Sequence, residues 1–293
     1  MTPAKNAPDQ GGRAGGPAVT AALFPTERQQ AILTLARQRG RVDVGELSQR
    51  FGVTTETIRR DLGYLEQRRA LRRVHGGAVV VPQSHFVPDL QEREVTRAAE
   101  KRAIARRALQ EIPEEGSVLI DSGTTSACLA EMFPADRDLT VVTNSLPIAQ
   151  TLLANPRVTV LHVGGRVRRQ TSASVDSWAL HALAEVAVDV LFLASYGVSA
   201  RRGLTTPDPS EGAVKRAMVA AARRVVVLAD HSKLGAEHLA IVSPLTSVDL
   251  LITDSLADDV AVRELTDAGL QVDLAAVYPD SSSGKGQEDR DLA

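Results

Sequence analysis

The chain has 293 residues, 43% hydrophobic and 24% charged, with a formal net charge of −2. That length suits two domains rather than one, and so small a net charge excludes a globally basic nucleic-acid binder, so any such site must be local. The single cysteine, Cys128, excludes an internal disulfide or a cysteine-rich metal site.

No apolar run reaches the roughly 18 residues of a membrane span, and the opening MTPAKNAPDQGG lacks the apolar core of a signal peptide. The expectation is a cytoplasmic protein with no membrane partner, metal or cofactor. Residues 1–22 are rich in Gly, Pro and Ala without periodicity and are expected to be a disordered tail. A DNA-binding domain is expected over 23–80, a linker over 81–98, an effector and oligomerisation domain over 99–278, and a second disordered tail over 279–293.

The first helix is expected to open on a capping box of Thr26 and Gln29, to bury Ile32, Leu35 and Ala36, and to end near Gly40. Asp43 and Glu46 repeat the capping pattern for a second helix with Leu47 and Phe51 inward, and Gly52-Val53 turns the chain into a third. There Ile58, Leu62 and Leu65 recur at i, i+4 and i+7, which defines one buried face. Glu56, Arg60 and Gly63 then point outward, Thr57 and Arg59 flank them, and Thr54 is placed to cap the first turn. The exposed tip, Thr54, Thr55, Glu56, Thr57, Arg59 and Arg60, carries hydroxyl, carboxylate and guanidinium groups able to read base edges in a major groove. From Val53 to Ala78 there are six arginines against three acids, so positive charge is concentrated at this element. Three short helices with a tight turn make a helix-turn-helix, and Leu71 to Val80 reads as a wing.

A small helical bundle with solvated arginines is the plainer alternative, but it gives no reason for Thr-Ile-Arg-Arg-Asp and His-Gly-Gly to follow at this distance. Within the wing, Arg73, His75, Gly76 and Gly77 are candidate DNA contacts; the two glycines would let backbone approach the duplex. His75 is open between a phosphate contact and a hinge residue. TIRRDLGYLE followed by LRRVHGGA resembles the signature of the DeoR-type winged-helix bacterial repressors, over Thr26 to Ala78. The resemblance usually places Gly where this chain has Arg69.

Beyond the linker, short apolar runs end in small polar residues: SVLID in SGTT, LTVVT in NS, VTVLHV in GG, VDVLFLA in SYG, RVVVLA in DHSK and DLLIT in DS. Strands alternating with helices predict an α/β fold with a parallel sheet covered on both faces. The polar ends then converge at the carboxyl edge, where such sheets bind ligands. Asp121-Ser122-Gly123-Thr124-Thr125, between strand and helix, offers amides and hydroxyls to a phosphate. Thr143-Asn144-Ser145 and Gly164-Gly165 share that edge, and Lys215 and Lys233 are available to neutralise an anion. Asp208-Pro209-Ser210-Glu211 is a good helix start. Glu211 and Lys215 are open between a surface i, i+4 pair and a site role, as are Asp230 and Lys233, while His231 reads as a loop residue.

DSGTT, VTNSLPIA, HVGG, GLTTPDPSE with VKRAM, and LADHSK resemble the effector domain of the same family. That resemblance implies a fold akin to ribose-phosphate isomerases, a homodimer or homotetramer acting as a repressor on double-stranded operator DNA, and a phosphorylated sugar or polyol effector. Residue by residue it implies effector contacts at Asp121, Ser122, Gly123, Thr124, Thr125, Asn144, Gly165, Glu211, Lys215, Asp230 and Lys233. Asp176, Trp178 and Tyr196 depart from its pattern. An isomerase-like enzyme using Asp121, Glu211 or Asp230 as base, or a scaffold whose sheet only dimerises, are the alternatives; no catalytic residue is assigned.

Overall fold

In a computed structural model, the described residues are 24–67, 70–80 and 90–278. The two expected tails, Arg69 and the first part of the expected linker lie outside them. The chain divides into two compact units, Met1–Gln83 and Ser84–Ala293.

The first unit contains α1 (Pro25–Arg39), β1 (Arg41–Asp43), α2 (Val44–Phe51), α3 (Thr55–Gln67), β2 (Leu71–Val74) and β3 (Gly77–Val80). The apolar stripes meet as expected: Ile32, Ala36, Leu47, Ile58, Leu62 and Leu65 are buried together with Leu71 and Ala78. Phe51, expected inward, is only half-buried. The strands form an antiparallel sheet in the order β1-β3-β2, so the wing is a hairpin extended by a short strand that the sequence reading left as a connection. Helix α1 opens earlier than expected. Pro25, whose fixed φ suits a first helical position, begins it, and the Phe24 N–H donates to Glu27 Oε2 at 3.0 Å. Thr26 is therefore already inside the first turn, and the side-chain amide of Gln29 donates instead to Asp61 Oδ1 at 2.9 Å. Asp43 does cap α2, accepting from the amides of Gly45 and Glu46, while the Glu46 side chain pairs with Arg39 rather than closing a capping box.

The second unit opens with α4 (Leu90–Val95) and α5 (Ala98–Ala108), followed by β4 (Gly116–Ile120), α6 (Thr124–Glu131), β5 (Leu139–Thr143), α7 (Leu146–Leu152) and β6 (Val158–His162). Next come β7 (Arg166–Arg168), β8 (Ala173–Val175), α8 (Asp176–Ala184), β9 (Val188–Ala194), β10 (Gly197–Ser199), β11 (Gly203–Thr206), α9 (Pro209–Ala221) and β12 (Ala222–Leu228). The unit ends with β13 (Ala240–Ser243), β14 (Leu250–Asp254), α10 (Asp259–Asp267) and β15 (Val272–Ala275). Seven strands form one parallel sheet in the order β15-β14-β12-β9-β4-β5-β6.

Alternation along the strands sends side chains to two cores. Val118, Ile120, Phe192, Val226 and Leu228 face one core with Ile104 of α5, Leu129 of α6 and Ile148 of α7. Leu119, Leu191, Leu193, Val225 and Val227 face the other with Ala179 of α8, Val214 and Met218 of α9 and Leu265 of α10. Each fully buried Leu, Val or Phe here contributes about 1.5–3 kcal/mol relative to exposure.

The chain runs outward from β4 through β5 to β6, returns to lay β9 on the other side of β4, and then runs outward through β12, β14 and β15. The β4/β9 boundary is therefore the point where the topology switches direction, and the loops after these two strands part to leave a crevice. The hairpin of β7 and β8 and the antiparallel sheet β10-β11-β13 add walls to this carboxyl edge. The segment read as linker contains α4, which is pinned to this second unit by Arg93, through Tyr196 and Gln170. Among the described residues no helix is long and apolar enough to cross a membrane.

Candidate functional site

In the first unit, α3 presents the sequence-predicted tip as expected in exposure. Thr54, Thr55, Glu56, Arg59 and Arg60 are exposed and Thr57 is half-buried. Thr54 Oγ1 accepts from the Thr57 amide at 3.2 Å, which caps the first turn. Arg59 lies 3.5 Å from Glu56 on the solvent face, a pair too exposed to hold either side chain still. The recognition helix is held from behind by Asp61, whose carboxylate takes Arg28 Nε at 2.6 Å and the Gln29 amide, with both charged side chains at least 92% buried. This clamp was not legible in the sequence, because Asp61 lies within the cationic motif and its partner lies 33 residues earlier.

The wing turns at His75-Gly76. His75 and Arg73 are exposed, Gly76 has a left-handed φ of 78°, and the Arg73 amide is tied at 2.9 Å to Glu66 of α3. Gly77 has a structural role that its sequence did not suggest. It is buried, and a Cβ there would lie 2.0 Å from the Val42 carbonyl oxygen, so its missing side chain already lets β1 and β3 pair closely.

In the second unit, the switch-point crevice brings together Asp121 and Lys215. Lys215 Nζ donates to Asp121 Oδ2 and, at 2.9 Å, to the Ala194 carbonyl, while the Ala194 amide donates to the same carboxylate oxygen at 3.1 Å. The pair is buried: Asp121 is 1% exposed and Lys215 is 4% exposed. Burial drives the Asp121 carboxyl above the usual carboxylate range, against the pull of the Lys215 ammonium. Its second oxygen, Oδ1, has no hydrogen-bond partner among the described residues, and neither does Ser126 Oγ one turn into α6. Such orphaned buried acceptors are costly and mark a place where a further polar group belongs.

Glu211 and Lys215 do not form the surface pair that their spacing allows. Lys215 turns to Asp121, and Glu211, 4% exposed, accepts from Arg168 Nη1 at 2.8 Å and Thr206 Oγ1 at 3.4 Å. Arg168, from β7, also bonds Asp208, the cap of α9, and was not singled out in the sequence. Asn144 is spent on the scaffold: its Oδ1 accepts from the Ser122 amide at 3.1 Å and its Nδ2 donates to the Ser174 carbonyl at 3.2 Å. Ser122, Thr124 and Thr125 are buried beside it, and a Cβ on Gly123 would lie 2.7 Å from Ala194 Cβ.

Gly165 lies farther along the edge, with Val175 O 2.8 Å from where its Cβ would be, and lines an open cavity of about 410 Å³ with Arg166, Val175, Asp176, Ser177 and Trp178. Asp176 has a left-handed φ of 73° and pairs with Arg166 at 2.6 Å.

Asp230 and Lys233 follow β12. Asp230 accepts from the Ser232 amide and lies 3.8 Å from Arg97, and its carboxyl is lowered: burial raises it, but Lys233 and the hydrogen bonds from Ser232 outweigh that. Burial lowers the Lys233 ammonium, opposed by Asp230. His231 is bound at 2.8 Å by Asp254. Among the described residues no group of three His, Cys, Asp or Glu side chains could hold a metal ion.

Residues 28–84 match the model of the DeoR-like helix-turn-helix domain, and residues 96–255 match that of the DeoR C terminal sensor domain. The transcriptional regulator GlpR of Haloferax volcanii is 37% identical over 85% of this chain and 98% of its own length. The glycerol-3-phosphate regulon repressor of Escherichia coli is 31% identical over 85% of this chain and 98% of its own. Ribose 5 phosphate isomerase A from Neisseria gonorrhoeae is 16% identical, with a TM-score of 0.33 over 48% of this chain and 53% of that one, too slight a likeness to carry a function across. With a helix-turn-helix half and a sensor half both matched in order, this chain belongs to the DeoR family of helix-turn-helix transcriptional regulators.

Proposed function

We propose that the protein represses genes of sugar or polyol metabolism, and that a phosphorylated sugar-like effector bound in the switch-point crevice modulates its hold on operator DNA. The observation that carries this reading is the buried Asp121–Lys215 pair, whose carboxylate keeps one orphaned oxygen beside the first turn of α6. A hydroxyl of a polyol is a donor of the right kind for that oxygen, and the free amides of a helix start suit a phosphate. Relatives named for glycerol-3-phosphate support the ligand class.

On DNA, α3 enters the major groove with Glu56, Arg59 and Arg60 toward base edges, and Arg73 and His75 of the wing lie along phosphates. Two copies of the chain place two such helices in half-sites about 34 Å apart or a multiple of it. A differential affinity of about 1–3 kcal/mol between effector-bound and DNA-bound arrangements changes occupancy 5–150-fold.

Sensing rather than catalysis is favoured because each candidate base is already engaged: Asp121 by Lys215, Glu211 by Arg168, and Asp230 by Ser232 and Arg97. The test is fluorescence anisotropy on the DNA upstream of the protein's own gene at fixed salt, with phosphorylated sugars and polyols added singly. One ester that shifts the affinity supports the reading, and turnover of any of them instead supports the enzyme.

A further inference from the structure

The segment that precedes the sheet in sequence brings three cations, Arg93, Arg97 and Lys101, toward the crevice. Arg93 of α4 donates through Nη1 to Tyr196 Oη at 3.2 Å and through Nη2 to the Gln170 carbonyl at 3.0 Å. Its guanidinium also lies over the Tyr196 ring, 5.9 Å from the centroid. Its third nitrogen, Nε, is buried with no hydrogen-bond partner among the described residues. Tyr196 follows β9, two residues beyond the Ala194 that holds Lys215, and its phenol is pushed up by burial and by the Glu211 carboxylate, against Arg93 and Arg168. Arg93 therefore reaches the same set of charges that forms the crevice.

Two further cations from this segment join it. Arg97, at the junction of α4 and α5, has a left-handed φ of 55° and extends toward Asp230 at 3.8 Å. Lys101, 5% exposed, donates to the carbonyls of Arg93 and Thr96, which leaves one of its three N–H donors over. Lys233 faces the group from the loop after β12. Arg97, Lys101 and Lys233 thus share one carboxylate, Asp230, and Arg93 lies close enough to act on both lysines. Among the other titratable groups nearby, the thiol of Cys128 is pushed up by burial, the Tyr196 phenol is raised and the His238 imidazole is pushed down by burial, while the two carboxylates that act on Tyr196 already have cations of their own, Glu211 in Arg168 and Asp121 in Lys215.

Four neighbouring cations that share one acid, with a spare guanidinium N–H and a spare ammonium N–H, leave an excess of positive charge that a dianion would complete.

We propose that Arg93 and Arg97 bind the phosphate of the effector, so that α4 and the start of α5, at the beginning of the second unit, form one wall of the sensing crevice. This rests on the crevice being the effector site. It adds that cations from the α4–α5 side meet the phosphate together with the amides at the start of α6, with the hydroxyl-bearing end toward Asp121.

The experiment is calorimetric titration of the full-length protein with inorganic phosphate, with glycerol as the unphosphorylated control, for the wild type, Arg93→Gln and Arg97→Gln. Removing a charged donor should weaken phosphate binding by about tenfold or more in each variant, with the ligand-free melting temperature nearly unchanged in Arg97→Gln. Arg93→Lys, which keeps the charge but loses the fork, should recover part of the affinity. If Arg93→Gln fails to fold, Arg97→Gln decides, because its side chain is 37% exposed and replaceable without opening the core.

Wild-type-like phosphate binding in both Gln variants, or no phosphate binding by the wild type, overturns the proposal. The two readings fail separately. If a phosphate ester shifts operator affinity equally in wild type and Arg93→Gln, the crevice reading stands and this one falls. If phosphate binding depends on Arg93 but no ester shifts operator affinity, this one stands and the effector reading falls.

Discussion

Lys215 Nζ joins Asp121 and the Ala194 carbonyl, and so ties together the ends of β4 and β9, the two strands between which the sheet reverses its order. One ammonium thus neutralises the crevice carboxylate and also sets the spacing of its two walls.

Lys215→Met removes that ammonium and leaves Asp121 buried and unpaired. The expected loss is about 3–5 kcal/mol, measured by urea unfolding of the full chain. Lys215→Met with Asp121→Asn should lose less than the sum of the two single changes, by at least about 1 kcal/mol of coupling. An additive cycle would contradict the pairing.

Asp61→Ala tests a different claim, that an acid inside the recognition motif is structural. It strips Arg28 and Gln29 of their shared partner, so it should destabilise the first unit by about 3 kcal/mol. Operator binding should then fall on all sequences alike. Hydrogen exchange should show faster opening of α1 and α3, with the second unit unchanged; unchanged protection would contradict the clamp.

These two cases show what the sequence could and could not carry. The inward faces were legible because they are local: Ile58, Leu62 and Leu65 mark α3, and apolar runs ending in SGTT, NS and DHSK mark six of the seven parallel strands. The seventh, β15, is only four residues long with an Asp inside it, and it gave no such run. Pairings across long sequence separation were not legible. Arg28 finds Asp61, Arg168 finds Glu211, and Arg93 finds Tyr196, 103 residues away, only after the chain folds. Likewise the sequence carried no sign that both ends of the Asn144 amide brace neighbouring loops. Nor did it show that β1 packs against Gly77.

Gly77→Ala should therefore act through folding. A Cβ placed 2.0 Å from the Val42 carbonyl forces β1 and β3 apart, at a cost of about 1–3 kcal/mol. The melting temperature of the first unit should fall. Gly76→Ala, at an exposed left-handed turn, should cost about 1 kcal/mol. A Gly77→Ala protein as stable as wild type with weakened operator binding would restore the DNA-contact explanation.

Lys101 predicts a pH dependence. Burial, opposed by Asp230, lowers its ammonium from 10.5 to about 8. Between those values the unfolded chain holds the proton more firmly than the folded one, so stability should rise with pH across that window and be flat in this group below it. Lys101→Met should remove this rise, measured by thermal unfolding from pH 7 to pH 10. A wild-type slope that persists in Lys101→Met would assign it elsewhere.

Arg60→Ala should reduce discrimination between operator and unrelated DNA by about 1–3 kcal/mol, whereas Arg73→Ala should weaken both alike and lower the salt slope by about one. An equal loss on all DNA for Arg60→Ala would make Arg60 a phosphate contact.

The coupling of crevice to operator is the central claim. It is tested most directly by the anisotropy of labelled operator DNA with the full-length protein at fixed salt, with and without glycerol phosphate and other phosphorylated sugars and polyols. The account predicts that at least one ester changes operator affinity between about 5- and 150-fold, and that the change disappears in Lys215→Met protein shown to be folded. Specific operator binding that no ester alters would contradict it.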